Sequence, residues 1–162
     1  MMMLLLKEKD PLECILEWGM FISFTILIVV VTLSVITRFL LPFIVLSWAE
    51  EASRFFFIYT VALGAPCSFK RREFATVDFL FNRLSLKTQK KLNIIFDGMI
   101  MILSFLIFLY SLQFAKLGLI QFSPTMGIPM VFAFSSMPIT SFFITLYSTL
   151  NFFKAIGKRS EI

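Results

Sequence analysis

The stretch that decides the fold is Phe21–Ile36, FISFTILIVVVTLSVI, which contains no charged residue and consists mostly of large apolar side chains. It lies inside a longer apolar run, from about residue 18 to residue 41. A helix needs about 20 such residues to cross a hydrocarbon core roughly 30 Å thick, so this run predicts a transmembrane helix. Acidic residues precede it and no small-residue cleavage site follows, so we do not expect a signal sequence that is removed.

The composition of the whole chain extends this interpretation. Of its 162 residues, 59% are hydrophobic and only 15% are charged, whereas a soluble domain is nearer half apolar and a quarter charged. The excess apolar surface must face lipid or another membrane protein. The chain has no histidine and two cysteines, Cys14 and Cys67, which argues against histidine-ligated zinc or haem, a thiolate metal site and a histidine-activated nucleophile. We therefore expect no cofactor, no metal and no enzymatic activity.

Three more apolar runs have the length of a membrane span. We expect an all-α integral membrane protein, a single domain over residues 1–162, with four transmembrane helices at about 18–41, 47–69, 92–115 and 129–153. Two amphipathic segments, about 4–17 and 75–84, could be additional helices lying along the membrane surface.

The distribution of positive charge predicts the orientation. Of the 15 Lys and Arg residues, all but Arg38, Arg54 and Lys116 fall in the N-terminal segment, the connection between the second and third spans, or the C-terminal segment. Because basic residues remain in the cytoplasm, both termini should be cytoplasmic. The net charge of +5 is thus mostly a topology signal, and we expect no nucleic-acid partner.

The densest polar group is the segment Ser47–Arg54, SWAEEASR. Ser47 and Glu50 have capping-box spacing, and Arg54 follows Glu50 by four residues and Glu51 by three, so a helix start with a local ion pair is one interpretation. Two acids for one base leave a carboxylate without a local partner. Our second interpretation is a pair between Glu50 or Glu51 and Arg38 on the first span, or with another subunit.

A proton or ion relay is the third interpretation of this polar group. It would need an ionisable group near mid-membrane. The other candidate is Asp97, about 9 Å into the third helix from Lys91 and therefore near the inner interface. Mid-span positions are otherwise apolar or hydroxyl-bearing, so the chain does not look equipped to coordinate a charged solute by itself.

Several of these motifs together resemble the small permease subunit of tripartite ATP-independent periplasmic (TRAP) transporters. The resemblance rests on five ordered motifs: Arg38-Phe39, Trp48–Phe55, Leu63–Ala65, Lys70–Glu73 and Val77–Leu80. It covers about residues 38 to 81. The third and fourth spans match only in length and hydropathy. The sequence departs from the family pattern at Phe74, where histidine is frequent, and at Pro66, where a small residue is usual.

The resemblance implies that the chain binds a large multi-span permease. That partner would hold the substrate and sodium sites and take up an organic acid, of the C4-dicarboxylate or sialic acid class, that a periplasmic binding protein delivers. The small subunit would be a scaffold, with the binding protein contacted mainly through the large subunit.

We predict two groups of contact residues. Arg38, Trp48, Glu50, Glu51 and Arg54 should make contacts between spans or subunits. Arg71, Arg72 and Asp78 should lie at the inner surface and contact lipid headgroups or the partner. Alternative functions are a self-sufficient four-span carrier, which would need a deep acidic residue in the first span, or a membrane anchor of another complex.

Overall fold

The computed structural model describes residues 11–40, 46–71 and 86–157, and the described part of the chain is helical. The helices are α1 (Pro11–Leu40), α2 (Ser47–Lys70), α3 (Leu86–Leu117), the single turn α4 (Val131–Phe134) and α5 (Ser136–Gly157). The all-α architecture predicted from the sequence is confirmed. The predicted surface helix at 75–84 lies outside the described residues.

Helix α1 begins earlier than the predicted first span. Pro11 is its first residue, a position that suits proline because a helix start leaves that N–H unused. The helix then continues without interruption to Leu40, about 45 Å at 1.5 Å per residue. Within the predicted surface segment 4–17, residues 11–17 are therefore the first turns of α1, and residues 4–10 lie outside the described part.

The start of α2 differs from the predicted capping box. The cap is Leu46, no side chain caps the helix, and Ser47 is already the first helical residue. The hydroxyl of Ser47 is therefore one position too late to cap the helix, and the capping-box prediction is wrong. Pro66 lies inside α2 without ending it, since the helix continues to Lys70.

The predicted fourth span is divided into α4 and α5. A turn at Ser135 separates them, and Pro138 occupies the first turn of α5. Proline has no N–H to donate to the carbonyl of residue 134, so the helix breaks just before it. The hydroxyls of Ser135 and Ser136 donate to the carbonyls of Phe132 and Ala133, at 2.8 and 2.6 Å.

Three stretches of the described helices are long and apolar enough to cross a membrane: Pro11–Leu40, Leu92–Leu117 and Val131–Phe153. Helix α2 is not among them. Its 24 residues reach about 36 Å, but Glu50, Glu51 and Arg54 occupy its first two turns and reduce its apolar character. The structure therefore supports three of the four predicted spans by length and composition.

The long helices are arranged in a row in the order α1, α2, α5, α3, in which each packs against the next. Helix α2 is antiparallel to α1 and parallel to α5, and α5 is antiparallel to α3. One end of the bundle, where α2 begins and α3 ends, is called here the Glu51 end. The opposite end, where α1 begins and α2 ends, is called the Glu13 end.

Buried apolar packing is concentrated toward the Glu13 end. Leu16, Cys67, Phe69 and Tyr147 form a buried cluster that joins α1, α2 and α5. Cys67 is buried and Cys14 half-buried, and neither is in a disulfide. Most other large apolar side chains are exposed. A row one helix thick leaves two broad faces, and their apolar side chains suit lipid or protein rather than water.

Candidate intersubunit surface

Glu51 connects α2 to the segment between α3 and α4. Its Oε2 accepts the backbone N–H groups of Thr125 and Met126, both at 3.2 Å, and the Thr125 hydroxyl. The same turn is closed by Ser123, whose Oγ accepts the Met126 N–H at 3.2 Å. The sequence analysis predicted a pair between Glu50 or Glu51 and Arg38 on the first span, or with another subunit. The partner is this turn rather than Arg38.

Three other predicted contact residues stay open at the Glu51 end. Arg38, Glu50 and Arg54 are exposed, and none of them forms an ion pair with any residue in 11–40, 46–71 or 86–157. The predicted Arg38 pair with Glu50 or Glu51, and the local pairs with Arg54, are therefore not formed in this part of the chain. These charges are available to a partner outside it.

Glu50 and Arg54 line a cleft of about 320 Å³ between α1 and α2. Ser53 is in the same cleft, with its hydroxyl donated to the Ala49 carbonyl at 2.6 Å, and Val31 and Val35 form the apolar wall. Trp48, at the start of α2, is 40% exposed. The cleft therefore presents an acid, a base and an apolar wall side by side, with an aromatic ring on the same helix.

The Glu13 end is organised differently. The carboxylate of Glu13 is buried and accepts hydrogen bonds from Lys70 Nζ at 2.7 Å and Arg71 Nε at 2.9 Å. Arg71 also pairs with Glu17, and Lys70 Nζ lies 5.4 Å from the centre of the Tyr147 ring on α5. This polar cluster ties the beginning of α1 to the end of α2.

The predicted inner-surface residues are only partly described. Arg71 is at the Glu13 end, exposed on one side and paired with two acids of α1 on the other. Arg72 and Asp78 lie outside the described residues. Sequence reasoning placed Arg71 at a surface but missed its partners, because Glu13 and Glu17 are distant in sequence and only the antiparallel packing of α1 on α2 brings them close.

Hydroxyl groups join α2 to α4 and α5. The Tyr59 hydroxyl donates to the Phe132 carbonyl at 2.6 Å and lies 2.9 Å from Ser135 Oγ, at the break between α4 and α5. Thr140 Oγ1 lies 3.2 Å from the carbonyl of Ala62. That carbonyl has lost its helical donor because Pro66, four residues later, has no N–H. The Thr140 hydroxyl has one hydrogen, which it also donates to the Ser136 carbonyl at 2.8 Å. It therefore offers the Ala62 carbonyl a shared hydrogen bond in place of the one lost at Pro66, where this sequence departs from the family pattern.

Small and hydroxyl-bearing residues also permit close packing elsewhere. A Cβ on Gly64 would lie 2.8 Å from the sulfur of Met20, which gives the Leu63–Ala65 motif a role in bringing α2 close to α1. Between α3 and α5, Thr145 donates to Ser104 at 3.0 Å, and Ser148 donates to the Asp97 carbonyl at 2.8 Å. Asp97 is buried there.

A groove of about 370 Å³ opens between α2 and α3 over a floor formed largely by α5. Phe57, Val61 and Ile107 form its rims, and Ser136 and Thr140 belong to its floor. The floor hydroxyls bond to nearby carbonyls, so the groove presents an apolar surface. Among the residues that the structure describes, no group of acidic or cysteine side chains could hold a metal ion. The groove itself offers an apolar contact surface.

Comparison with known proteins gives a consistent picture. The family model described as tripartite ATP-independent periplasmic transporters, DctQ component, matches residues 27–158. An isethionate TRAP transporter permease protein named DctMQ, from Oleidesulfovibrio alaskensis, is 32% identical over 95 residues, which are 57% of this chain and 15% of that protein. A TRAP transporter small permease protein of Haemophilus influenzae is 36% identical over 84 residues, which are 52% of each chain. The chain thus spans about half or less of the curated relatives it matches.

Proposed function

Because the chain belongs to the DctQ family of TRAP transporter components, a non-enzymatic family of membrane transport proteins, we propose that it is the scaffold subunit that holds a large permease in the bacterial inner membrane. The large subunit carries out sodium-coupled uptake of an organic acid, delivered by a periplasmic binding protein. The isethionate in the name of one relative is also an organic acid anion. We extend that class, as a C4-dicarboxylate or sialic acid, to the present transporter.

The observation that carries this proposal is the position of the charges. The sequence has no Asp, Glu, Lys or Arg in 18–37, 55–69, 98–115 or 117–153. Charges at mid-membrane depth mark ion and substrate pathways. Their absence from these stretches favours a supporting subunit over a carrier, and the exposed charges at the Glu51 end suit contact with a partner.

Helix α2 is proposed as the fourth span. It packs between α1 and α5, both of which include stretches able to cross a membrane, and it runs parallel to α5. A helix in this position shares their apolar layer, with Glu50, Glu51 and Arg54 at its polar boundary. The Lys and Arg distribution supports cytoplasmic termini, a cytoplasmic Glu13 end and a periplasmic Glu51 end. A reporter that is active only in the periplasm can be fused to either terminus. Activity of such a fusion contradicts this orientation.

We propose Arg38, Trp48, Glu50 and Arg54 as the contact with the large permease, and Glu51 as the contact that holds the neighbouring turn. Arg71, Arg72 and Asp78 are proposed to meet lipid headgroups or the partner at the cytoplasmic surface. The structure supports the first set by leaving Arg38, Glu50 and Arg54 exposed beside a cleft of mixed charge.

Charge reversal tests the contact. Arg54→Glu, co-expressed with a TRAP large permease as the proposed partner, should reduce the co-purified permease at least tenfold, since a reversed charge replaces an attraction of about 1.4 kcal/mol or more with repulsion. Lys116→Glu reverses another exposed cation at the Glu51 end and is the matched control. Equal recovery of permease with both variants contradicts the proposed contact. Sodium-driven uptake by vesicles containing this chain alone contradicts the scaffold function.

A further inference from the structure

The connection Gly118–Met130, between α3 and α4, has an apolar surface that the proposed function does not use. Leu119, Ile120 and Phe122 are 61%, 79% and 62% exposed. The sequence contains no acidic or basic residue between Lys116 and Lys154. A contiguous exposed apolar surface marks contact with a membrane or another protein, so this connection is unlike an ordinary loop in water.

The backbone of the connection satisfies most of its own hydrogen bonds. The N–H groups of Ser123 and Met130 donate to the carbonyls of Ile128 and Gln121, both at 2.8 Å, and the N–H of Gly127 donates to the Ser123 carbonyl at 3.0 Å. Prolines at 124 and 129 have no N–H to satisfy. Irregular backbone is tolerated near hydrocarbon only where the protein itself supplies the partners that water would otherwise supply.

Backbone hydrogen bonds also close both ends of the connection. At its beginning, Gly118, Leu119 and Ile120 donate to carbonyls in the last turn of α3, at 3.1 to 3.2 Å. At its end, the Val131 N–H donates to the Gly118 carbonyl at 3.0 Å. The apolar residues are therefore presented on a compact element rather than on an open loop.

Glu51 supplies a further polar contact. It accepts the N–H groups of Thr125 and Met126. Within the connection, the Ser123 hydroxyl oxygen also accepts the Met126 N–H. A carboxylate is strongly favoured at the polar boundary over the hydrocarbon. It therefore fixes the turn at that boundary, with the exposed apolar side chains beside it.

We propose that the connection Gly118–Met130 is inserted into the lipid leaflet at the Glu51 end, where Leu119, Ile120 and Phe122 contact phospholipid acyl chains. Glu51 is a positioning residue that holds the turn at the polar boundary. The inference depends on insertion of the chain into a membrane and not on the large permease.

Site-specific fluorescence quenching tests this proposal. Ile120→Cys, Phe122→Cys and, as the matched control at the turn, Pro124→Cys are made in the full chain with Cys14→Ala and Cys67→Ala, labelled with bimane and reconstituted in phosphatidylethanolamine–phosphatidylglycerol vesicles. Apolar side chains of interfacial elements lie about 5–10 Å below the headgroups, so a phospholipid with a nitroxide high on its acyl chain should quench positions 120 and 122 at least twofold more than position 124. Aqueous iodide should show the opposite order.

Two results overturn the proposal. Iodide quenching at position 120 as strong as at position 124 places the connection in water. Protection of 120 and 122 from both quenchers places them against another protein surface, such as a second copy of the chain. If Ile120→Cys does not fold, Leu119→Cys gives the same comparison.

The role of Glu51 has its own measurement in the same vesicles. Glu51→Ala should raise iodide quenching at position 120 at least twofold, because the turn loses the acceptor that holds it at the boundary. Glu51→Gln retains a carbonyl oxygen that accepts the same N–H groups and should preserve the parent pattern. Equal effects of the two substitutions contradict a positioning role for the acceptor oxygen.

Discussion

The two ends of the bundle use acidic residues in opposite ways. At the Glu13 end, a buried carboxylate is matched by Lys70 and Arg71 of the neighbouring helix. At the Glu51 end, Glu51 holds a turn through backbone N–H groups, while the nearby Glu50 and Arg54 remain exposed. At the Glu13 end the charges are paired within the chain, whereas at the Glu51 end Glu50 and Arg54 remain available to a partner.

This difference separates the polar residues that stabilise the fold from those that can contact a partner subunit. A buried ion pair that loses one partner is costly because the other charge is left uncompensated. An exposed charge contributes little to folding. Substitutions at the Glu13 end should therefore change stability, and substitutions of Glu50 or Arg54 should change association.

The largest effect is expected for Glu13→Gln. The amide removes the negative charge that balances Lys70 and Arg71. Breaking a buried ion pair costs about 3–5 kcal/mol. The cost should be smaller here because both cations are partly exposed to solvent. The free energy of unfolding in detergent micelles, measured by titration with dodecyl sulfate, should fall by about 2–3 kcal/mol.

Glu17→Gln is the matched control for this change. Glu17 pairs with Arg71 but has a more exposed side chain than Glu13, so the loss should be about 1 kcal/mol or less. If Glu17→Gln destabilises the protein as much as Glu13→Gln, the contrast between a buried and a peripheral carboxylate at this end is wrong.

An intermediate effect is expected for Gly118→Ala at the Glu51 end. A Cβ at this position would lie 2.5 Å from the backbone nitrogen of Val131 and 2.7 Å from its Cα, so the closure of the connection has to shift. Overpacking of this kind costs about 1–3 kcal/mol. Hydrogen exchange at the Val131 amide should accelerate with the loss of stability.

Gly98→Ala provides the comparison for the glycine substitution. There the nearest atom to a new Cβ is 3.3 Å away, on the Phe152 ring, and a side chain can yield more readily than backbone. The change should be near neutral, within about 0.5 kcal/mol. A larger loss at Gly98 than at Gly118 would contradict the close backbone approach at the connection.

The smallest effect, and the most specific, is expected for Thr140→Val in the middle of the bundle. The Ala62 carbonyl would lose the hydroxyl that lies 3.2 Å from it, and hydrogen bonds between helices in membranes average about 0.6 kcal/mol. The loss should shrink in a Pro66→Ala background, where residue 66 regains an N–H for Ala62. Additive effects in this double-mutant cycle contradict the compensation.

Much of the architecture could be predicted from the sequence because it depends on local composition. Long runs such as Phe21–Ile36 predict apolar helices directly, and the break before Pro138 follows from a missing N–H. The limits of α2 were harder to predict. Ser47 and Glu50 satisfy the capping-box spacing, yet the helix begins one residue earlier than that spacing requires, because local patterns do not fix which residue starts a helix.

The candidate site was predicted less completely because its contacts are distant in sequence. The surplus carboxylate in Glu50-Glu51 predicted a partner on another span or another subunit. In the described part of the chain, Glu51 is bonded instead to backbone N–H groups of a turn more than seventy residues away, which charge alone does not reveal. Glu13 with Lys70 is a similar case, visible only once α1 is packed antiparallel on α2.

The row order α1, α2, α5, α3 also has a consequence for synthesis. The first two helices form one antiparallel hairpin within residues 11–71, and the last part of the chain forms a second. Each hairpin can complete its internal contacts as it leaves the ribosome, since domains and their parts fold in order of translation. The α2–α5 seam, with Tyr59, Thr140 and Tyr147 along it, is then the last to close, so defects there should yield a chain that is inserted but cleaved by quality-control proteases.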